Sequence, residues 1–173
     1  VKKSYLFNKK IILGITGSIS SYKSIFLLRL LKKKGADVQV VLTNSAKDFV
    51  SPLVLSVLSK RKVLSSFFSD SEKSDWNNHV DLALWADLII IAPSTANTIS
   101  KLNSGACDSL LLSIVLSRRS PIILAPAMDH DMYLNEITSN NIEGLKSNNF
   151  LFIDVDSGEL ASGLIGFGRM AEP

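Results

Sequence analysis

Four short apolar runs constrain this chain more than anything else in it. They are KIILGIT at 10–16, DVQVVLT at 37–43, DLIIIAP at 87–93 and PIILAP at 121–126. A strand with one wet face alternates apolar and polar residues, whereas a strand covered on both faces has no polar side to display. These runs are rich in Ile, Val and Leu without alternation, which predicts strands of a parallel sheet buried between two layers. A weaker run, FLFIDV at 150–155, predicts a fifth strand, and KVLSSFF at 62–68 predicts an edge strand.

Helical patterns fill the intervals. Residues 20–34 place Ile25, Leu28 and Leu31 at helical spacing and stop at Gly35, a residue suited to the left-handed turn after a helix. Residues 80–86, 95–102 and 108–116 read as helices too. Strands alternating with helices give βαβ units and a doubly wound α/β fold. Two stretches stand apart. SDSEKSDWNN at 69–78 is polar and predicts an exposed loop. DSGELASGLIGFGRM at 156–170 carries four glycines and predicts a mobile loop.

The length of 173 residues suits one domain, and 46% hydrophobic residues supply its core. Net charge is only +3, and the two small basic clusters, 32–34 and 60–62, lack interleaved aromatics, so no nucleic-acid partner is expected. The single cysteine, Cys107, excludes an internal disulfide and fits a reducing, cytoplasmic compartment. No run approaches the ~20 apolar residues that span a bilayer, and the opening VKKSYLFNKK does not read as a secretory leader, so no membrane association is expected.

In an open α/β sheet, ligands gather at the carboxyl ends of the strands. Four stretches fall there. GITGSISS at 14–21 runs from a strand through Gly17, Ser18 and Ile19 into a helix, where backbone N–H groups, the helix dipole and a hydroxyl can hold an anion. Its spacing is neither that of a dinucleotide fingerprint nor that of a P-loop, which favours one phosphate over a pyrophosphate. A plain strand–helix turn is the alternative. Thr43 and Ser45, after the second strand, could add hydroxyls to the same group. In APSTANTISKL at 92–102, Ser94, Thr95 and Asn97 offer polar groups at a helix start, as ligand contacts or simply as a cap.

His79 opens an amphipathic helix; a lone histidine is more often a surface or satisfied residue than a catalytic one. Asp129, His130 and Asp131 are consecutive, so their side chains diverge, and no His-x-x-x-His spacing or cysteine pair supports a metal site. Asp129 could be a helix cap, and Met128 and Met132, four apart, pack more often than they bind.

Taken together, GITGSISSYK, HVDLALWADLIIIAPSTANTISKLNSGACDSLL, PAMDHDMY and SGELASGLIGFGRMAEP resemble the flavin-containing cysteine decarboxylases, and among them the branch acting on phosphopantothenoylcysteine in bacterial coenzyme A biosynthesis. The resemblance runs from about Lys9 to Pro173. It implies a Rossmann-like α/β/α sandwich that binds FMN, and trimers often assembled into dodecamers with the flavin near a subunit interface. Ser94, Thr95, Ala96 and Asn97 would hold the flavin beside Gly17, Ser18 and Ile19. His79 matches the essential histidine, and Met128 and Met132 would shape the pocket. The implied reaction oxidises the substrate's thiol side to a thioaldehyde, releases CO2 to leave an enethiolate, and returns the hydride to give phosphopantetheine. The GRMAEP ending resembles the junction to a synthetase half, so a further domain is expected beyond it.

Two residues depart from the resembled pattern. Asp129 stands where the family carries an asparagine whose amide contacts the substrate carboxylate. An ionised carboxyl at ~4 Å would oppose that carboxylate by about 4 kcal/mol at an effective dielectric near 20. A protonated Asp129 would donate a hydrogen bond as the amide does. Ser162 stands where members of this branch carry a cysteine that protonates the enethiolate, and a hydroxyl is a far weaker acid. Three other readings compete: a peptidyl-cysteine decarboxylase, a flavin prenyltransferase, and an FMN-binding regulatory subunit without turnover. A prenyltransferase would need neither PAMDHDM nor His79 in this place, and an intact His79 argues against the regulatory subunit.

Overall fold

The computed structural model describes residues 4–68 and 76–173. Five parallel strands form the sheet: β1 (Lys10–Ile15), β2 (Asp37–Leu42), β3 (Leu88–Ser94), β4 (Ile122–Pro126) and β5 (Phe150–Phe152), in the spatial order β2-β1-β3-β4-β5. The lack of alternation in the apolar runs has its cause here. Along β1, Ile11, Leu13 and Ile15 pack into one core with Leu28 and Leu31 of α1 (Tyr22–Lys33) and Leu55 of α2 (Pro52–Ser59). The intervening Ile12 packs into the other, with Ile99 of α4 (Ala96–Asn103), Leu111 of α5 (Leu110–Leu116) and Ala83 of α3 (His79–Trp85). The architecture is a Rossmann-like α/β/α sandwich. The four strong runs all form strands, and the fifth forms a shorter one than the six residues expected.

Glycine permits one close contact inside the sandwich. A Cβ on Gly14, mid-β1, would meet Leu111 Cδ1 at 2.8 Å, so the bare position 14 leaves the space that the Leu111 side chain of α5 occupies.

Two expectations need correction. Residues 62–68 do not form an edge strand: Leu64 makes one parallel bridge to Val41, exchanging bonds with Val40 and Leu42, before the chain turns away. The Gly-rich stretch is an antiparallel hairpin, not a loop: β6 (Asp156–Glu159) pairs with β7 (Ile165–Arg169). The polar segment at 69–78 lies mostly outside the described residues; of its described end, Asn78 caps α3 by accepting from Val80 N–H at 3.0 Å. The apolar pattern also gives no sign of α2 or of α7 (Glu136–Ser147). In PLVLSVLS the outer residues Leu53 and Val57 are themselves apolar and exposed, so no amphipathic period stands out. In EITSNNIEGLKS only Ile142 and Leu145 supply large buried side chains. The short α6 (His130–Leu134) follows β4. Among the described residues no helix is long and apolar enough to cross a membrane.

Candidate functional site

The chain leaves β1 toward β2 on one side and returns as β3 on the other. The carboxyl ends of β1 and β3 therefore flank a switch point, where such sheets open a crevice. Hydroxyls lace it together. Thr16 Oγ1 donates to Pro93 O at 2.8 Å and accepts from Thr95 N–H at 3.2 Å. Ser24 Oγ donates to Ala92 O at 2.6 Å, and Ser21 Oγ donates to Thr16 O at 2.8 Å. These buried bonds satisfy backbone groups that the strand ends would otherwise orphan.

The Gly17–Ser18 turn stands over this lacing. Ser18 caps the helical turn that follows, its Oγ accepting from Ser20 N–H at 3.2 Å, while Ser21 Oγ accepts from Ser18 N–H at 3.3 Å. A Cβ on Gly17 would lie 2.6 Å from Ser45 Oγ. The glycine thus lets the β1 and β2 turns meet. A cavity of about 200 Å³ opens beside them, lined by Thr43, Ser45, Thr95, Asn97 and Ser109. Thr43 Oγ1 and Ser45 Oγ lie 3.2 Å apart. Thr95 caps α4, accepting from Thr98 N–H at 3.3 Å. At its rim, Asp108 is paired with Lys101. Hydroxyls, an amide and a helix start around a glycine-permitted cradle suit one phosphate and a polar ring edge, so these residues fit a flavin. Ser94 is different: its side chain is fully buried and donates to Ile91 O at 2.9 Å, while its carbonyl accepts from Ala127 N–H.

On the other side of the turn lies a cavity of about 450 Å³. Ser18, Ile19, Met128 and Asp129 line it together with Glu159–Ser162 and Gly168–Arg169 of the hairpin. Asp129 both lines the cavity and caps α6, its Oδ1 accepting from His130 N–H at 2.6 Å. Ser162 sits at the exposed hairpin tip, where its Oγ accepts from Leu164 N–H at 3.5 Å. Met132 lines neither cavity and is half exposed.

His79 also lines neither cavity. It begins α3, packed edge-on to Phe67 and tilted against Trp76, and its buried Nδ1 has no hydrogen-bond partner. Three charged residues of the larger cavity escaped the sequence reading. Lys23 is 4% exposed, donates to Met170 O at 2.6 Å and pairs with Glu172 at 2.7 Å. The Lys23 ammonium holds the Glu172 carboxyl below its usual range. A lysine beside the buried stripe of Ser24, Leu28 and Leu31 was the available signal. Arg169 and Glu159 carried none, because they lie on strands read as loop.

A switch-point crevice with a hydroxyl-lined cradle and an adjoining charged cavity is where proteins of the doubly wound class take up a cofactor. The Flavoprotein family matches residues 2–173, and the chain belongs to that family, with a flavin as its cofactor. It is 42% identical over 168 residues to the coenzyme A biosynthesis bifunctional protein CoaBC of Vibrio vulnificus, covering 97% of this chain and 42% of that protein. The chain therefore spans about two-fifths of the length of such relatives. A cysteine/cysteine sulfinic acid decarboxylase from an unknown prokaryotic organism is 54% identical over 124 residues, 72% of this chain and 34% of that protein. Among solved structures, a PPC decarboxylase mutant complexed with pantothenoylaminoethenethiol superposes with a TM-score of 0.84 at 32% identity, covering 96% of this chain and 92% of the other.

Proposed function

We propose that the chain is an FMN-dependent phosphopantothenoylcysteine decarboxylase. The observation that carries this is the adjacency of the two cavities across the Gly17–Ser18 turn: a phosphate-type cradle on one side, a charged chamber under a hairpin on the other. The resemblance to PPC decarboxylase over nearly the whole chain supports the same substrate. Gly17, Ser18, Thr43 and Ser45 would hold the single phosphate, with Thr95 and Asn97 along the ring system and Ser94 and Ala96 contributing backbone. When bound, the flavin would supply the two-electron oxidation that an unactivated carboxylate needs before it can lose CO2, and would return the two electrons afterwards.

The chain's own residues orient the substrate and handle its protons. Lys23 and Arg169 supply positive charge for anionic groups. Asp129 faces the substrate from the cavity wall, Met128 packs against the thiol end, and Ser162 stands where the last proton is needed. His79 serves as proton carrier from a neighbouring subunit of a trimer, itself a unit of a larger assembly. Its separation from both cavities in one chain supports this, as does the exposed apolar surface of Trp76, Val80 and Leu84 around it.

A second reading has a specific observation in its favour. The relative matched at 54% identity is a decarboxylase of cysteine, and Asp129 as a carboxylate would pair with the α-ammonium of free cysteine, which an N-acylated substrate lacks. Mass spectrometry of the flavin-loaded protein with each substrate decides. Loss of CO2 alone from phosphopantothenoylcysteine supports the proposal. Loss of CO2 plus two hydrogens with bleached flavin means the reaction stops at the enethiol. Turnover of cysteine alone replaces the first reading by the second.

A further inference from the structure

His130 has no part in that account, yet it makes the most specific contact between the hairpin and the sandwich. Strand β7 lies against the turn at 128–130. Phe167 N–H donates to His130 Nδ1 at 3.0 Å, and the two rings stack at 6.2 Å with 28° between their planes. Beside it, Met128 N–H donates to Gly168 O at 3.0 Å. A Cβ on Gly166 would come within 2.5 Å of His130 Nδ1, so the strand can sit this close only because position 166 is bare. The bond also fixes the imidazole: Nδ1 is an acceptor here, and the ring proton is on Nε2. Pinned at Phe167, β7 carries Gly168 and Arg169 directly into the cavity wall and, through the turn to β6, carries Leu160 and Ser162 over it.

We propose that His130 is a positioning residue: its Nδ1 seats β7 and thereby sets the hairpin over the larger cavity for substrate binding. The proposal rests on the reading of that cavity as the substrate site. Its signature is a rise in KM with flavin retention preserved, because His130 lines neither cavity.

The test compares wild type, His130→Leu, His130→Asn and Gly166→Ala as full chains loaded with flavin. Leucine keeps bulk but offers no acceptor; asparagine carries an oxygen close to the place of Nδ1; the alanine methyl crowds Nδ1 from the opposite side. In His130→Leu, amide exchange at Phe167 should rise at least tenfold and KM roughly fivefold, with flavin retention unchanged, the scale of one neutral hydrogen bond. Gly166→Ala should behave alike, and His130→Asn should recover most of both losses. Equal Phe167 protection in wild type and His130→Leu overturns the proposal. So does a KM no better in His130→Asn than in His130→Leu, or a loss confined to kcat. Where wild type itself turns over neither substrate, the functional reading fails separately, and exchange at Phe167 with thermal unfolding of each variant still decides whether His130 seats the strand.

Discussion

The Gly17–Ser18 turn and the β6–β7 hairpin face each other across one cavity, and they are built in opposite ways. The turn rests on fully buried strands and on hydroxyls bonded to buried carbonyls, with Thr16, Ser21 and Ser24 each at most 1% exposed. The hairpin shows its apolar side chains to solvent, Ile165 at 82% and Phe167 at 50%, and is held at a few points: His130, Met128 and, just beyond it, Lys23. Rigidity belongs where a cofactor must be held through every turnover. A lightly tethered cover belongs where substrate enters and product leaves.

The largest way to break this comparison lies beneath the rigid half. Leu111→Ala empties a fully buried site against β1 and should cost about 2–5 kcal/mol, read as a fall in unfolding temperature and loss of flavin together. Gly17→Val separates the two functions of that half. Its Cβ drives into Ser45, so flavin affinity should fall at least roughly tenfold while the buried strands keep their unfolding midpoint within about 1 kcal/mol. On the lightly held side, Gly168→Ala sharpens the contrast. Gly168 has φ +122, and a Cβ there would press on the Met128 carbonyl, so β7 must lift. KM should rise severalfold with flavin binding unchanged, and the unfavourable φ and backbone clash should cost the hairpin more than about 1 kcal/mol of stability.

The smallest effect is remote from both. Arg61 holds the Asp37 carboxyl below the usual carboxylate range, chiefly through their hydrogen bond. A depressed folded value means the contribution is complete above the unfolded one and disappears as pH falls through the folded one. Both partners are more than a third exposed, so only some tenths to about 1 kcal/mol is at stake. Asp37→Asn should flatten the acid limb of urea stability to that extent and leave both cavities untouched.

The same contrast explains what the sequence disclosed. Residues such as Ile11, Ile12 and Ile89 are buried by the sheet itself, so their runs announce strands at once. The places of Gly17, Ser18, Thr43 and Thr95 at strand-end turns are legible because such turns need those residue types. The hairpin strands DSGE and IGFGR are thin, exposed and glycine-rich, and they borrow order from residues more than thirty positions away, so no local pattern marks them. His130 was passed over for the same reason: its partner, the Phe167 amide, is defined only by tertiary structure. His79 was singled out by resemblance, but its place outside both cavities follows from which strand ends α3 precedes, which no short window reveals.

Amide exchange over the whole chain tests the division of labour most directly, measured with flavin alone and then with phosphopantothenoylcysteine added. The account requires flavin to slow exchange at 16–18, 43–45 and 94–97 while leaving 159–169 unchanged, and substrate then to slow 159–169 and 128–130. Protection of the hairpin by flavin alone, or no response of the hairpin to a substrate that is turned over, would contradict it.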